Sequence, residues 1–179
     1  MELAGLVQDI HDSGVGEWMR SSLKAMPVVE ALHVLAATTV FGTVLLVDLR
    51  LLGIPNLKRA VTRIEGEVIR LTWIAFAVAV VTGALMFAAN AQTYFINTAF
   101  RLKLLGILAA GLNMVVFETV IRRDVAAWDL GVQPPRAARI AGLLSILLWI
   151  VVIVLARWIG FTKGYDFAIP PGVELTFPG

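Results

Sequence analysis

Four long apolar blocks constrain the fold of this chain more than any other feature of its sequence. A membrane-spanning helix needs about 20 mostly apolar residues, because it rises about 1.5 Å per residue across a hydrocarbon core about 30 Å thick. A helix also satisfies its own backbone hydrogen bonds in lipid, and no block shows the alternation of a membrane strand. We therefore predict an all-α integral membrane four-helix bundle with spans at about 28–53, 71–89, 102–121 and 140–159.

The composition supports a membrane protein and excludes several kinds of site. Hydrophobic residues make up 59% of the chain and charged residues 16%, whereas soluble domains average about 45–50% and about 25%. The chain has no cysteine, which excludes disulfides, thiolate metal sites and cysteine nucleophiles. It also lacks the motifs of nucleotide-binding loops, zinc proteases and serine hydrolases. The net charge is only +2, with cations at the ends of the apolar blocks, so we expect no nucleic-acid partner.

The residues outside the blocks divide the chain into three parts. Residues 1–26 mix charges with apolar residues, which predicts an interfacial amphipathic helix with Trp18 at headgroup depth. Residues 27–160 form the transmembrane domain, in which the polar connection 54–70 continues as the start of the second helix. Residues 161–179 are rich in glycine and proline, and we expect an extended tail outside the bilayer.

Two further connections carry specific expectations. The turn at 90–101 offers Asn97 and Thr98, either of which could cap the third spanning helix. The segment 122–139 contains a Pro-Pro pair and is predicted to be a loop with an interfacial piece around Trp128.

The cations predict an orientation in the membrane. The first and third connections, with their helix ends, carry nine lysines and arginines, and the opposite side carries six. Cytoplasmic loops carry the excess of such residues. Both termini are therefore predicted to lie on the outer side of the membrane.

Small residues at spacings of four are expected to mediate helix packing, because close approach replaces the hydrophobic drive that is missing in lipid. The same pattern is compatible with a self-associating dimer, so simple bundle packing and self-association both stay open. The small residues concerned are Ala75, Ala79 and Gly83, then Gly106 and Ala110, and single glycines at Gly42 and Gly142.

The first candidate site is a Glu-x-x-His pair in the first span. Glu30 and His33 lie three residues apart and so project from one helix face. This is the spacing by which a helix offers a carboxylate and an imidazole to one metal ion, as in di-iron bundles. Those bundles need two such motifs, and this chain has one. A single transition-metal ion would need further ligands from the same side of the membrane, for which the sequence offers His11, Met19, Met26 and Asp166.

Haem b is the alternative cofactor for the same position. The chain contains two histidines, His11 and His33. A haem held by both would require the N-terminal segment to fold over the first span. Against either cofactor stands a simpler role, in which Glu30 and His33 form a hydrogen-bonded pair that orders the start of the helix.

Charged residues near the helix ends are interpreted as structural ion pairs. Intramembrane ionisable groups are functional candidates by default, but near helix ends they can reach polar surroundings. Asp48 and Arg50 are two apart and cannot face each other on a helix; partners proposed for Asp48 are Arg70, Arg122 and Arg139. Glu118 is expected to pair with Arg122 one turn later. Deeper in the third span, Asn113 is expected to bond to Thr38, Thr39 or Thr43.

Several stretches together resemble an uncharacterised family of bacterial four-helix inner-membrane proteins. They are PVVEALH (27–33), VDLRLLG (47–53), NTAFRLK (97–103), GLN (111–113) and AAWDLG (126–131). The resemblance implies the four-helix fold, a bacterial source with location in the inner (cytoplasmic) membrane, and importance for Glu30, His33, Asp48 and Arg50. In that membrane the outer side predicted from the cations is the periplasm, so both termini are expected to be periplasmic. It implies no activity.

Three functions are compatible with these features. The first is a non-catalytic accessory subunit that packs against a larger membrane complex or against itself within the lipid bilayer. The second is a membrane protein that uses Glu30 and His33 to bind a metal or haem for electron transfer or metal handling. The third, with the least support, is a channel or carrier.

Overall fold

The computed structural model describes residues 2–54, 60–129 and 133–162, without the side chains of Glu2, Glu65, Arg122 and Asp124. Within these residues every regular element is helical. The seven α-helices are α1 (Glu2–His11), α2 (Gly14–Ser21), α3 (Ala25–Leu51), α4 (Val61–Ala89), α5 (Ala91–Ile96), α6 (Thr98–Val116) and α7 (Arg136–Thr162). A π-helical turn, Phe117–Ile121, and a 3-10 segment, Arg122–Ala127, continue α6.

Four of these helices are long and apolar enough to cross a membrane, which confirms the predicted all-α four-helix fold. The spans are Ala25–Leu51, Gly66–Ala89, Thr98–Ile121 and Arg136–Thr162, and the chain is a multi-pass membrane protein. Each helix begins before its apolar block, where long polar side chains can reach the interface, whereas α3 ends at Leu51, two residues before the predicted end of its block.

The N-terminal segment forms two short helices, where the sequence predicted one. Ser13 separates them: its hydroxyl donates to Ile10 O (2.7 Å) and accepts from Gly16 N (3.2 Å), which ends α1 and caps α2. Met19 of α2 is buried against Val29 of α3 and Ala89 of α4. The segment is therefore anchored to the end of the bundle. Of the tail expected at 161–179, residues 161 and 162 belong to α7, and the rest lie outside the described residues.

The spanning helices lie in the order α4, α3, α7, α6. Helix α3 packs against α4 and α7, and α7 packs against α6, whereas α4 and α6 share no extensive contact among the described residues. Gly142 allows the close approach of α7 to α3, since a Cβ there would lie 3.0 Å from Asp48 O. Gly106 likewise faces Val152 of α7, but the space around Gly42 is open.

The segment that follows α6 packs against the ends of the spanning helices. Trp128 is only 5% exposed and packs in a cluster with Leu51, Val61 and Phe117. Trp128 therefore faces the helix ends and not solvent, and the interfacial position of this segment stays a prediction.

The N-terminus of α6 is capped as predicted, and of the two candidate residues Asn97 is the cap. Asn97 Oδ1 accepts from Phe100 N (2.9 Å), and its Nδ2 donates to Thr162 Oγ1 (2.9 Å) at the end of α7. Since Thr162 belongs to α7, this fully buried side chain fixes both helices on the side of the membrane that carries α1 and α2. We call this side the N-terminal side.

Candidate functional site

His33 lies half-buried between α3 and α4 with one ring nitrogen fixed. Its Nδ1 is 3.0 Å from Ala79 O and 3.0 Å from Thr82 Oγ1. A carbonyl can only accept, and the Thr82 hydroxyl donates its one proton to Val78 O (2.6 Å). Nδ1 must therefore carry the proton, which leaves the lone pair of the neutral ring on Nε2. Gly83 makes room for the ring, since a Cβ there would lie 3.2 Å from His33 Cε1.

Glu30 lies one turn before His33 on the same helix face, and both belong to a group of polar residues near the N-terminal side. The charges that act on His33 are those of Lys103 and Glu30. Burial, followed by the charge of Glu30, raises the pKa of the Tyr94 phenol above its ordinary value. Among the described residues, no three histidine, aspartate or glutamate side chains gather as a metal site would require.

His11 and the other proposed ligands make contacts of their own. His11 Nδ1 is 3.3 Å from Arg20 Nη1, and the same guanidinium donates to His11 O and Ala89 O. Thus His11 joins α1 to α2 and α4, whereas His33 joins α3 to α4. Met19 is buried in the cluster that anchors α2, with Met26 packed against it. Asp166 lies outside the described residues.

Asp48 is 5% exposed and accepts a hydrogen bond from Ser145 of α7. Among the described side chains no arginine lies within salt-bridge distance of it, and both Arg70 and Arg139 are exposed. The pairs proposed with Arg122, for Asp48 and for Glu118, lie outside the described side chains and stay predictions.

Arg50 connects two of the stretches that carry the family resemblance. It is 2% exposed, and its Nη2 donates to Asp129 O (2.8 Å). The Asp129 carboxylate in turn accepts from Thr62 N (3.1 Å) and Thr62 Oγ1 (2.6 Å) in the first turn of α4. Burial raises the pKa of Asp129, but hydrogen bonds from Thr62 and Val61 and the charge of Arg50 outweigh it and hold that pKa below its usual value.

A cleft of about 220 Å³ opens between α4 and α6, and α3 and α7 form its floor. Its lining is mostly apolar. At its mouth stand Trp73 of α4 and Met114 of α6, which are 55% and 42% exposed. Its floor includes Val40, Asp48 and Ser145, all buried. The cleft therefore leads from the lipid-facing surface to a carboxyl group inside the bundle.

The polar groups of the cleft are largely satisfied by one another. Thr72 Oγ1 bonds to Thr43 Oγ1 (2.8 Å), and Asn113 Nδ2 donates to Ala141 O (3.0 Å). The predicted bond from Asn113 to a threonine of α3 is thus replaced by one to α7, the helix on which α6 packs. The exception is Asp48 Oδ2, which is buried and has no hydrogen-bond partner in the described part of the chain.

Sequence reasoning selected Asp48 but missed Ser145 and the cleft. The signal at Ser145 was a single hydroxyl residue in an otherwise apolar block, 97 positions from Asp48 in the chain. Nothing in the sequence tells which helices are neighbours, so this pairing needed the tertiary structure.

Comparisons with known proteins give a family but no activity. A family model described as a family of unknown function matches residues 24–162. No curated protein and no solved structure gives a significant match. The matched range includes α3 to α7 and excludes α1 and α2.

Proposed function

The chain belongs to this family of unknown function, DUF6644, and we propose that it is a non-catalytic accessory membrane protein that binds a small lipid-soluble molecule between α4 and α6. The observation that supports this function is the cleft, whose mostly apolar lining includes the buried carboxyl of Asp48, one oxygen of which has no partner among the described residues. A mostly apolar pocket with a few converging polar groups is the usual form of a small-molecule site.

The position of the cleft favours a ligand that arrives through the bilayer. Because α4 and α6 do not pack extensively on each other, the mouth faces the surface that lipid covers. A buried polar group next to hydrocarbon is unfavourable unless it finds a hydrogen-bond partner. A ligand with an apolar body and one polar group would provide that partner and replace the lipid at the mouth.

The size of the cleft favours a small molecule. The cleft holds about 220 Å³, less than the roughly 300–1,000 Å³ of sites for drug-sized ligands. We therefore expect an occupant that is smaller than a typical drug-sized ligand.

The accessory role requires a partner, a larger membrane complex, in addition to this chain. In this proposal the protein supplies a bound small molecule, or its release, to a larger membrane complex. The role predicts co-purification with that complex in a fixed ratio after mild solubilisation. A protein that purifies alone from its native membrane, at several detergent concentrations, would contradict the accessory role and leave the binding cleft unaffected.

The binding function can be tested by filling the cleft. Gly111 lines it, and the space around its Cβ position is open, so Gly111→Phe places a ring in the cleft without a backbone clash. Gly160→Phe is the matched control, because Gly160 also has open space but lies outside the cleft lining. The measurement is calorimetric titration of 4-phenylbutanol into the protein in phosphatidylcholine nanodiscs, with empty nanodiscs as reference.

We expect saturable binding to the native chain and to Gly160→Phe, and only the background of empty nanodiscs for Gly111→Phe. Equal binding by both variants would place the probe elsewhere and overturn the proposal, as would the lack of any saturable heat with the native chain. Thermal unfolding of each variant shows that a loss of binding does not come from a loss of folding.

Cofactor binding at His33 is a second candidate function, supported by the proton on Nδ1. Histidines that bind metals usually donate their other ring N–H to a carbonyl, carboxylate or water, which orients the ligating nitrogen. Here Ala79 O accepts that proton, so Nε2 is the available ligand atom, with Glu30 on the same face.

The test of the second candidate is optical and elemental analysis of the purified protein. We expect a haem absorption band or stoichiometric copper, iron or zinc that His33→Gln removes. The dependence on His11 then separates the two cofactors: His11→Gln also removes a haem held by both histidines but spares a metal held by Glu30 and His33. Native protein without either signal would contradict this function.

A further inference from the structure

We propose that the ligand of the cleft is a lipophilic amine, whose protonated nitrogen donates to the Asp48 carboxylate while its apolar part lies between α4 and α6. This inference rests on the proposed binding function and adds the chemical class of the ligand.

The first argument is the state of the Asp48 carboxyl. The Ser145 hydroxyl is close enough to act on the carboxyl as a hydrogen-bond donor, but Oδ2 is buried without a partner in the described part of the chain. When this carboxyl ionises it accepts hydrogen bonds and offers none, so a donor with a positive charge is the partner that would stabilise the buried charge. A hydrogen bond between two charged groups is shorter and stronger than one between neutral groups.

The second argument is charge. Among the described residues that line the cleft, the ionisable ones are Asp48 and Glu118, and both are acids. The described lining contains no lysine, arginine or histidine. A ligand cation would therefore reduce the cost of a buried negative charge, whereas an anion would increase it.

The third argument is the aromatic lining. Three of the four spanning helices or their extensions contribute rings to the lining: Trp73 and Phe76 from α4, Phe117 at the end of α6 and Trp149 from α7. The faces of such rings attract ammonium groups, and tryptophan does so most strongly. The same rings provide apolar area for the body of the ligand.

A free amine fits these groups better than the ethanolamine headgroup of a phospholipid. That headgroup brings a phosphate next to its ammonium, and the described lining offers the phosphate no cation. The phosphate would then lie near Asp48 and be repelled by its charge.

The experiment compares 4-phenylbutylamine with 4-phenylbutanol, two probes of nearly equal size that differ in charge. Each is titrated into the native chain and into Asp48→Asn in phosphatidylcholine nanodiscs, and the dissociation constants are measured by calorimetry. Asp48→Asn keeps the shape of the side chain and an acceptor for Ser145. Glu30→Gln is the charge-matched control, because it also removes one negative charge but belongs to the His33 group.

We expect the amine to bind the native chain at least about tenfold more tightly than the alcohol, which corresponds to about 1.4 kcal/mol. Asp48→Asn should remove that preference, and Glu30→Gln should preserve it. Addition of phosphatidylethanolamine to the nanodiscs should leave the affinity for the amine unchanged, and competition by this lipid would assign the site to a headgroup and overturn the inference.

The other outcomes distinguish a failure of this inference from a failure of the proposed binding function. If both probes bind equally, and Gly111→Phe still abolishes binding, the cleft is a ligand site and the amine is the wrong class. If Asp48→Asn unfolds, the comparison of amine with alcohol in the native chain and in Glu30→Gln decides alone. If neither probe binds saturably, both the inference and the proposed function fail.

Discussion

Asp129 illustrates how much of the bundle depends on single polar side chains at its ends. Its carboxylate holds the first turn of α4 through Thr62, and its carbonyl receives the guanidinium of Arg50. A carboxylate at a helix N-terminus also interacts favourably with the helix dipole. The residue therefore joins α3, α4 and the segment that follows α6.

Removal of this carboxylate should destabilise the protein. We expect Asp129→Ala to lower the free energy of unfolding by about 1–2 kcal/mol, the usual cost of losing a helix N-terminal acceptor. Asp9→Ala, on the exposed face of α1, should change it by less than about 0.5 kcal/mol. Thermal unfolding in mild detergent measures both, and equal midpoints for the two variants would contradict the role assigned to Asp129.

The same residue predicts a pH dependence. Because the pKa of Asp129 is lowered in the folded protein, its contribution to stability is complete above the unfolded value of about 3.9. That contribution is lost as the pH falls through the lower pKa of the folded state. The difference in midpoint between the native chain and Asp129→Ala should thus be constant from pH 5 to 8 and shrink below about pH 4. A difference that grows on acidification would refute the assignment.

At the scale of single residues, the sequence predicted which polar residues are structurally important more reliably than it predicted their hydrogen-bond partners. The cap at Asn97 followed from a local rule, since donor and acceptor lie three residues apart. The separation of Asp48 from Arg50 followed from helix geometry. Their partners, Ser145 and Asp129, lie far along the chain, and no local rule connects them.

At the scale of elements, Gly142 sets the distance between α3 and α7. A Cβ there would lie 3.0 Å from both Asp48 O and Leu51 Cβ, and neither atom can move without its helix. We expect Gly142→Ala to separate the helices and cost about 1–3 kcal/mol. Gly42→Ala is the control: its surroundings are open, so better helix propensity should leave stability unchanged or raise it by up to about 1 kcal/mol.

Unfolding midpoints of the two variants test this prediction. Because Asp48 belongs to the same contact, Gly142→Ala should also weaken binding in the cleft, whereas Gly42→Ala should not. Similar midpoints for both variants would show that the contact between α3 and α7 is looser than the distances indicate. The sequence identified both glycines as candidates for such contacts because they are small residues within apolar blocks, but only the tertiary structure separates Gly142 from Gly42.

At the scale of the whole molecule, four spans place α1 and α5 on the opposite side of the membrane from the 3-10 segment. The chain has no cysteine, so single cysteines report their side without background. We expect Gly5→Cys and Gln92→Cys to react with a membrane-impermeant maleimide on intact cells of a bacterial host. Ala126→Cys should react only after permeabilisation, because the connections rich in cations are predicted to face the cytoplasm.

The outcomes of this labelling separate topology from orientation. Labelling of Gly5→Cys and Ala126→Cys from the same side would contradict the four-span fold. The reverse of the expected pattern would keep the fold and invert only the orientation predicted from the cations. The number of spans could be predicted because each apolar block is recognisable from its own local sequence. The order of the helices could not be predicted, because it depends on contacts between blocks.

The gap between α4 and α6 determines which ligand concentration sets the occupancy of the cleft. Its mouth opens onto the acyl chains, so occupancy would follow the number of ligand molecules per lipid rather than the concentration in water. A compound that partitions a hundredfold more strongly into the bilayer would saturate the protein at a correspondingly lower aqueous level. Adding inert lipid at a fixed total amount of compound would empty the cleft by dilution.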